Sequence, residues 1–96
     1  MTPRRRARID SNQPQIVKAL RKVGAEVTIT SALGCGFPDI VVSFRSNWYM
    51  VEIKDGDKVP SAQKLTPEEA EWHSKQMAPV FVVNSVESAL AMLDTI

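Results

Sequence analysis

Two apolar runs on either side of a short polar turn constrain this 96-residue chain more than any other feature. From Gly36 to Lys54 it reads Gly-Phe-Pro-Asp, Ile-Val-Val-Ser-Phe, Arg-Ser-Asn, then Trp-Tyr-Met-Val-Glu-Ile-Lys. Runs this rich in β-branched and aromatic residues, joined by so few polar ones, predict an antiparallel hairpin. A two-residue or a four-residue loop about Arg45–Ser46 gives one register, with opposed residue numbers summing to 91. Asp39 then lies across from Glu52, with Cβ atoms roughly 5 Å apart on one face. Lys54 follows on that face, about 7 Å further along. Two carboxylates so placed repel and call for a partner. A divalent cation is the simplest one, and a lysine beside it makes a site directed at phosphate.

The rest of the chain sets limits on that reading. Its length suits one small domain with one core, and the division expected is a flexible basic arm over 1–9 and a single domain over 10–96. Hydrophobic residues at 44% and charged ones at 24% are ordinary for a globular protein. No apolar run approaches a membrane span, and the basic N-terminus lacks the apolar segment of a signal peptide. A single cysteine, Cys35, excludes an internal disulfide and fits a reducing cytoplasm. With one histidine, His73, beside it in the inventory, zinc chemistry and a Cys–His nucleophile pair have no basis.

Net charge is only +1, but it is unevenly spread. Arg4, Arg5, Arg6 and Arg8 crowd the start, Lys18, Arg21 and Lys22 follow, and Glu68, Glu69, Glu71, Glu87 and Asp94 come later. The asymmetry suits a front half that faces polyanion; a solvated arm and helix face is the other reading of the same charges. Lys58 and Lys64 are further candidates for phosphate contact.

Periodicity predicts the remaining elements. A helix capped by Asp10 or Ser11 runs to about Val23, with Ile16, Val17, Leu20 and Val23 as its stripe and Gly24 at its end. A strand covers Glu26–Thr30, and a loop with Gly34 and Gly36 leads to the hairpin. Thr66-Pro-Glu-Glu starts a second helix through a capping box, with Ala70, Trp72, His73 and Met77 along it. Val80–Val83 is a short buried strand, and Ser85 caps a last helix. Trp72 is expected in the core, and His73 at the surface or in a cap. Trp48 and Tyr49 point to opposite faces, one inward and the other available to a dimer contact. The fourth strand follows a helix, so it lies parallel to a neighbour. The fold class is α/β, a mixed central sheet flanked by helices, and strands apolar on both faces imply a sheet covered on both sides.

Pro38-Asp39, twelve intervening residues, then Glu52-Ile53-Lys54 resembles the PD-(D/E)xK nuclease signature. The element order is similar to that superfamily's αβββαβ core, here with a further helix. More narrowly, the chain resembles the small stand-alone VRR-NUC nucleases of phages and bacteria. The shared features are the arginine-rich start, Asp10-x-Asn12-Gln13, Gly36-x-Pro38-Asp39, Glu52-x-Lys54-Asp55-Gly56, and Leu65-Thr66-Pro67 with Trp72-His73.

The resemblance implies a restriction-endonuclease-like fold. It implies Asp39, Glu52 and the Ile53 carbonyl as ligands of Mg²⁺ or Mn²⁺, with Lys54 as the catalytic lysine. Many superfamily members carry a glutamate on the first helix; this chain offers Asn12, Gln13 and Gln15 as accessory groups. Many relatives carry glutamine one turn before the tryptophan of the second long helix, where this chain has Glu69. The activity expected is metal-dependent hydrolysis of DNA phosphodiesters, on Holliday-junction or other branched DNA, by a homodimer. A non-catalytic DNA-binding module on the same fold is one alternative. A small host-interaction protein, in which Asp39, Glu52 and Lys54 merely form a surface salt bridge, is another.

Overall fold

The computed structural model describes residues 9–95, so Arg4, Arg5, Arg6 and Arg8 lie outside the described residues. The elements in order are α1 (Gln13–Lys22), β1 (Glu26–Ile29), β2 (Ile40–Phe44), β3 (Asn47–Ile53), α2 (Pro67–Ser74), β4 (Val80–Val83) and α3 (Val86–Met92). Short 3₁₀ turns at Ser31–Leu33 and Pro60–Gln63 interrupt the two longest connections.

The strands form one sheet in the order β1-β2-β3-β4. The first three are antiparallel, and β4 lies parallel to β3 after the crossover through α2. The hairpin takes the predicted register, from Ile40 opposite Val51 to Phe44 opposite Asn47. Its loop has two residues, Arg45 and Ser46, at φ 49° and 68°. Positive φ at both loop positions matches the right-handed twist of the strands. Asn47 Nδ2 donates to the Arg45 carbonyl at 3.2 Å, and the Arg45 guanidinium lies 4.9 Å from the Phe44 ring centre. Both contacts offset the strain of a turn that contains no glycine.

Alternation along the strands sends one set of side chains into the core. Val27, Val42 and Tyr49 meet across three strands, and Ile40, Val51, Ile53 and Val83 continue that face. Ile16, Val17 and Leu20 of α1, with Ala89 and Met92 of α3 and Leu93 just beyond it, close over them. Ile16, Leu20, Ile40, Val42, Val51 and Ile53 are wholly buried, each worth roughly 1.5–3 kcal/mol. The Tyr49 hydroxyl donates to the Leu93 carbonyl at 3.3 Å, which satisfies the one polar atom of the largest core side chain.

The opposite face is covered only at one end, not throughout as strands apolar on both sides predict. There α2 packs on the β1–β2 loop, with Phe37 and Trp72 edge to face at 5.1 Å. An eight-residue helix is only about 12 Å long, too short to roof the strands. Trp48 is therefore 73% exposed and Val82 48%, with Val41, Met50 and Val80 half-buried beside them. Trp72 packs against Phe37 rather than inside the main core, and Met77, past the end of α2, is fully exposed. Edge strand β4 is not the buried strand expected: Val80 and Phe81 are half-buried, Val82 is exposed, and Val83 is buried.

Helix α1 starts later than capping preference predicts. Asn12 holds the cap position but makes no side-chain cap bond, and Val23 follows the helix, half-exposed. Gly24, at φ 99°, turns the chain out.

Candidate active site

Where the β2–β3 pairing ends at Ile40–Val51, the backbone N–H of Ile53 is taken by a side chain. Asp39 Oδ2 accepts it at 2.8 Å. The main chain of Asp39 is clamped from the other side. Its carbonyl accepts the Thr30 N–H at 2.8 Å and the Ser31 hydroxyl at 3.3 Å, while Thr30 Oγ1 donates to the Pro38 carbonyl at 2.7 Å. The Pro-Asp pair is thereby locked at the mouth of the hairpin, and one Asp39 carboxylate oxygen stays free of the backbone.

Extending the register by one pair sets Asp39 opposite Glu52, and their carboxyls lie within hydrogen-bonding reach. Both are buried, at 8% and 3% exposure. Burial above all, then Asp39 and Glu69, pushes the Glu52 carboxyl up to about 10. Burial raises Asp39 as well, against the opposing influence of the neighbouring Glu52 carboxyl and of the bond from the Ile53 N–H. At neutral pH the pair thus holds a proton between its members. Glu52 Oε1 is buried with no hydrogen-bond partner among the described residues.

Lys54 follows directly on the end of β3 and turns to the same face as Glu52. Its Nζ lies 3.9 Å from Glu52 Oε2 and 2.7 Å from Glu69 Oε1. Burial disfavours its charge, but Glu69 and then Glu52 outweigh it and raise the lysine above its ordinary value. Burial likewise opposes charge on Glu69, and the Lys54 ammonium with the Thr66 N–H prevails, so that carboxyl is held low. The charge of Asp10, just ahead of α1, is felt by both Asp39 and Lys54.

The amides of α1 divide their work. Asn12 Nδ2 donates to the carbonyls of Lys54 and Asn84, at 3.0 and 3.1 Å, and so ties α1 to the ends of β3 and β4. Gln13 is 3% exposed, and its Nε2 donates to Ser31 Oγ at 2.9 Å. The Ser31 proton is already given to the Asp39 carbonyl, so Gln13 must be the donor there. Its Oε1 is left buried and unpartnered among the described residues. Gln15 is exposed and lines a separate polar cleft of about 220 Å³ with Asp55, Gly56 and Asn84; neither Asp39, Glu52 nor Lys54 lines that cleft. Lys58 and Lys64 are exposed, and Lys58 Nζ is 3.6 Å from Asp10 Oδ1.

Sequence reasoning missed three parts of this arrangement. Glu69 reads as a helix cap, and the capping box is present, yet the same carboxylate holds Lys54. Ser31 gives no signal in sequence, since its role depends on a loop folding back. His73 is half-buried rather than at the surface; its Nε2 has no partner among the described residues, and burial lowers its pKa. Its position four residues after Glu69, one turn along the same helix face, was the available signal.

Among the described residues no three His, Cys, Asp or Glu side chains are arranged to hold a metal ion unaided. The donor set still fits a hard divalent cation of the kind that takes one or two carboxylates and completes its shell with water and phosphate oxygens. Two adjoining buried carboxyls, one with an orphaned oxygen and an extra proton, are what such a cation would displace and satisfy.

No family sequence model matches the chain, and no curated protein sequence does. Among solved structures it is similar to one described as a VRR_NUC domain, with a TM-score of 0.63 and 25% sequence identity. The likeness spans 90% of this chain and 98% of that one. The chain thus shares the fold of that VRR_NUC domain, and its Pro-Asp and Glu-x-Lys residues converge at the mouth of the central hairpin.

Proposed function

We propose that this protein is a metal-dependent DNA endonuclease. The observation that carries the reading is the meeting of Asp39, Glu52 and Lys54 at the open end of the β2–β3 hairpin, in a fold shared with a VRR-NUC domain. Mg²⁺ or Mn²⁺ would be held by Asp39, Glu52 and the Ile53 carbonyl. When bound, such an ion neutralises phosphate charge and acidifies water. The chain's own groups supply the rest. The Ile53 N–H and the Thr30–Ser31 clamp fix Asp39 in place, and Lys54 presents an ammonium to the charge that develops on the phosphate. Gln13 takes the place of the helix-one acid, with its free amide oxygen available to orient water.

The substrate proposed is branched DNA, a four-way junction in particular, cut by a homodimer whose two sites face two symmetry-related strands. The exposed Trp48–Val82 face offers the second subunit a surface. Arg4, Arg5, Arg6 and Arg8, with Lys58 and Lys64, are proposed to contact phosphates, and cytoplasmic residence suits such a nuclease. The lack of an acidic side chain on α1 favours one other reading, a junction-binding module without cleavage. A surface salt bridge is a poor description of Glu52 and Lys54, which are 3% and 8% exposed.

The test is to incubate the protein with supercoiled plasmid and with a four-way junction, with and without Mg²⁺ or Mn²⁺. Cation-dependent cleavage that disappears in Lys54→Ala is expected. Junction binding without cleavage leaves the module reading, and no binding at low salt overturns both.

A further inference from the structure

We infer that Glu69 is the positioning residue for Lys54, and that the start of α2 is thereby part of the catalytic apparatus. The inference rests on the nuclease reading for its consequence, but not for its geometry.

One oxygen of Glu69 does two jobs. Oε1 accepts the Thr66 N–H at 2.8 Å, and the Glu69 N–H donates to Thr66 Oγ1 at 3.2 Å, which together make the capping box of α2. The same Oε1 accepts from Lys54 Nζ at 2.7 Å. A capping box fixes its glutamate side chain against the helix start, so Lys54 is held by an arm that is itself immobilised. The lysine needs such an arm. Its four-carbon stem is flexible and its ammonium is a point charge without directional preference.

The alternative partner is close. Glu52 Oε2 is 3.9 Å from the same nitrogen. Without Glu69 the ammonium would close on Glu52 and occupy the carboxylate proposed to hold the cation. With Glu69 in place the lysine stands beside Glu52 rather than on it. The docking of α2 enforces the arrangement, because Gly36 lies against the Glu68 carbonyl where even a methyl group would collide.

The test compares three variants in cation-dependent plasmid nicking and in the NMR signal of the Lys54 ammonium. Glu69→Ala is expected to lower kcat by about 100-fold, the scale of a misplaced catalytic group, with KM for DNA nearly unchanged. Glu69→Gln retains both hydrogen bonds and is expected to recover most of that loss. Thr66→Ala removes the Oγ1 half of the cap but keeps the Thr66 N–H on Glu69 Oε1 and the lysine contact, and is expected to lower kcat far less than Glu69→Ala. The slowly exchanging Lys54 ammonium signal is expected in the wild type and Thr66→Ala and not in Glu69→Ala. A Glu69→Ala protein that keeps its kcat, or a Thr66→Ala protein that loses as much, overturns the inference. If the wild type does not cleave DNA, the nuclease reading fails by itself. Positioning is then judged by the ammonium signal alone, and its persistence in Glu69→Ala overturns it.

Discussion

Asp39 binds the backbone N–H of Ile53 across the mouth of the hairpin, at 2.8 Å, where the strand ladder has run out. One carboxylate oxygen thus replaces a missing main-chain acceptor and leaves the other free of the backbone, on a side chain that stands opposite Glu52. Structure and chemistry are carried by different atoms of one side chain, and substitutions separate them. Asp39→Asn retains an acceptor for Ile53 and is expected to melt near the wild type, with cleavage lowered roughly 100-fold or more. Asp39→Ala leaves a buried N–H unpaired and is expected to cost about 1–3 kcal/mol as well. Urea denaturation and a nicking assay on the two proteins distinguish them.

The raised carboxyls predict how stability depends on pH. Glu52 ionises at an ordinary 4.5 when unfolded and near 10 in the native state. Between those values the native protein holds a proton that the unfolded chain has released, so stability falls as pH rises through that window. Asp39, also raised, acts in the same direction. Metal-free protein is therefore expected to melt at lower temperature at pH 8.5 than at pH 5.5. Glu52→Gln, neutral at both, is expected to flatten the slope. Millimolar Mg²⁺ is expected to restore the wild type at the higher pH, because the cation takes the proton's place. Thermal melts across pH, with and without the cation, check all three expectations.

Gly36 is required twice over. Its φ is 82°, and an added Cβ would collide with the Glu68 carbonyl oxygen. Gly36→Ala is expected to cost about 1–2 kcal/mol in backbone strain alone. The collision adds to that and pushes α2 away, which loosens the hold of Glu69 on Lys54. A loss of kcat larger than the loss of folded protein is the expected signature. Measurement of nicking rates at temperatures well below the melting point separates the two effects.

The hairpin and its facing carboxylates were legible in sequence because strand alternation and turn length fix register by counting. Helix starts at Thr66 and Ser85 were legible because capping is local, and both boxes are present. What required three dimensions was reach. Nothing in the sequence says that Asn12 abandons its cap to bind the carbonyls of Lys54 and Asn84, or that Ser31 folds back onto Asp39. Glu69 was visible as a cap, but its grip on Lys54 depends on where α2 docks. Covered strand faces were inferred from apolar content, which counts residues and not the length of the helix above them.

That uncovered face supplies the last prediction. Trp48 and Val82 are exposed on the same side of the sheet as Glu52, with half-buried Val41, Met50 and Val80 between them. Trp48 makes little use of the core, so Trp48→Glu is expected to change monomer stability by no more than about 0.5 kcal/mol. In the proposed homodimer this is the apolar surface the subunits share, and a charge buried there without a partner is strongly disfavoured. Sedimentation is expected to show a dimer for the wild type and a monomer for Trp48→Glu, with unchanged circular dichroism. Cleavage of a four-way junction is expected to fall with dimerisation, since paired cuts need both sites, while single-strand nicking of plasmid persists. A variant that stays dimeric moves the interface to another face of the molecule.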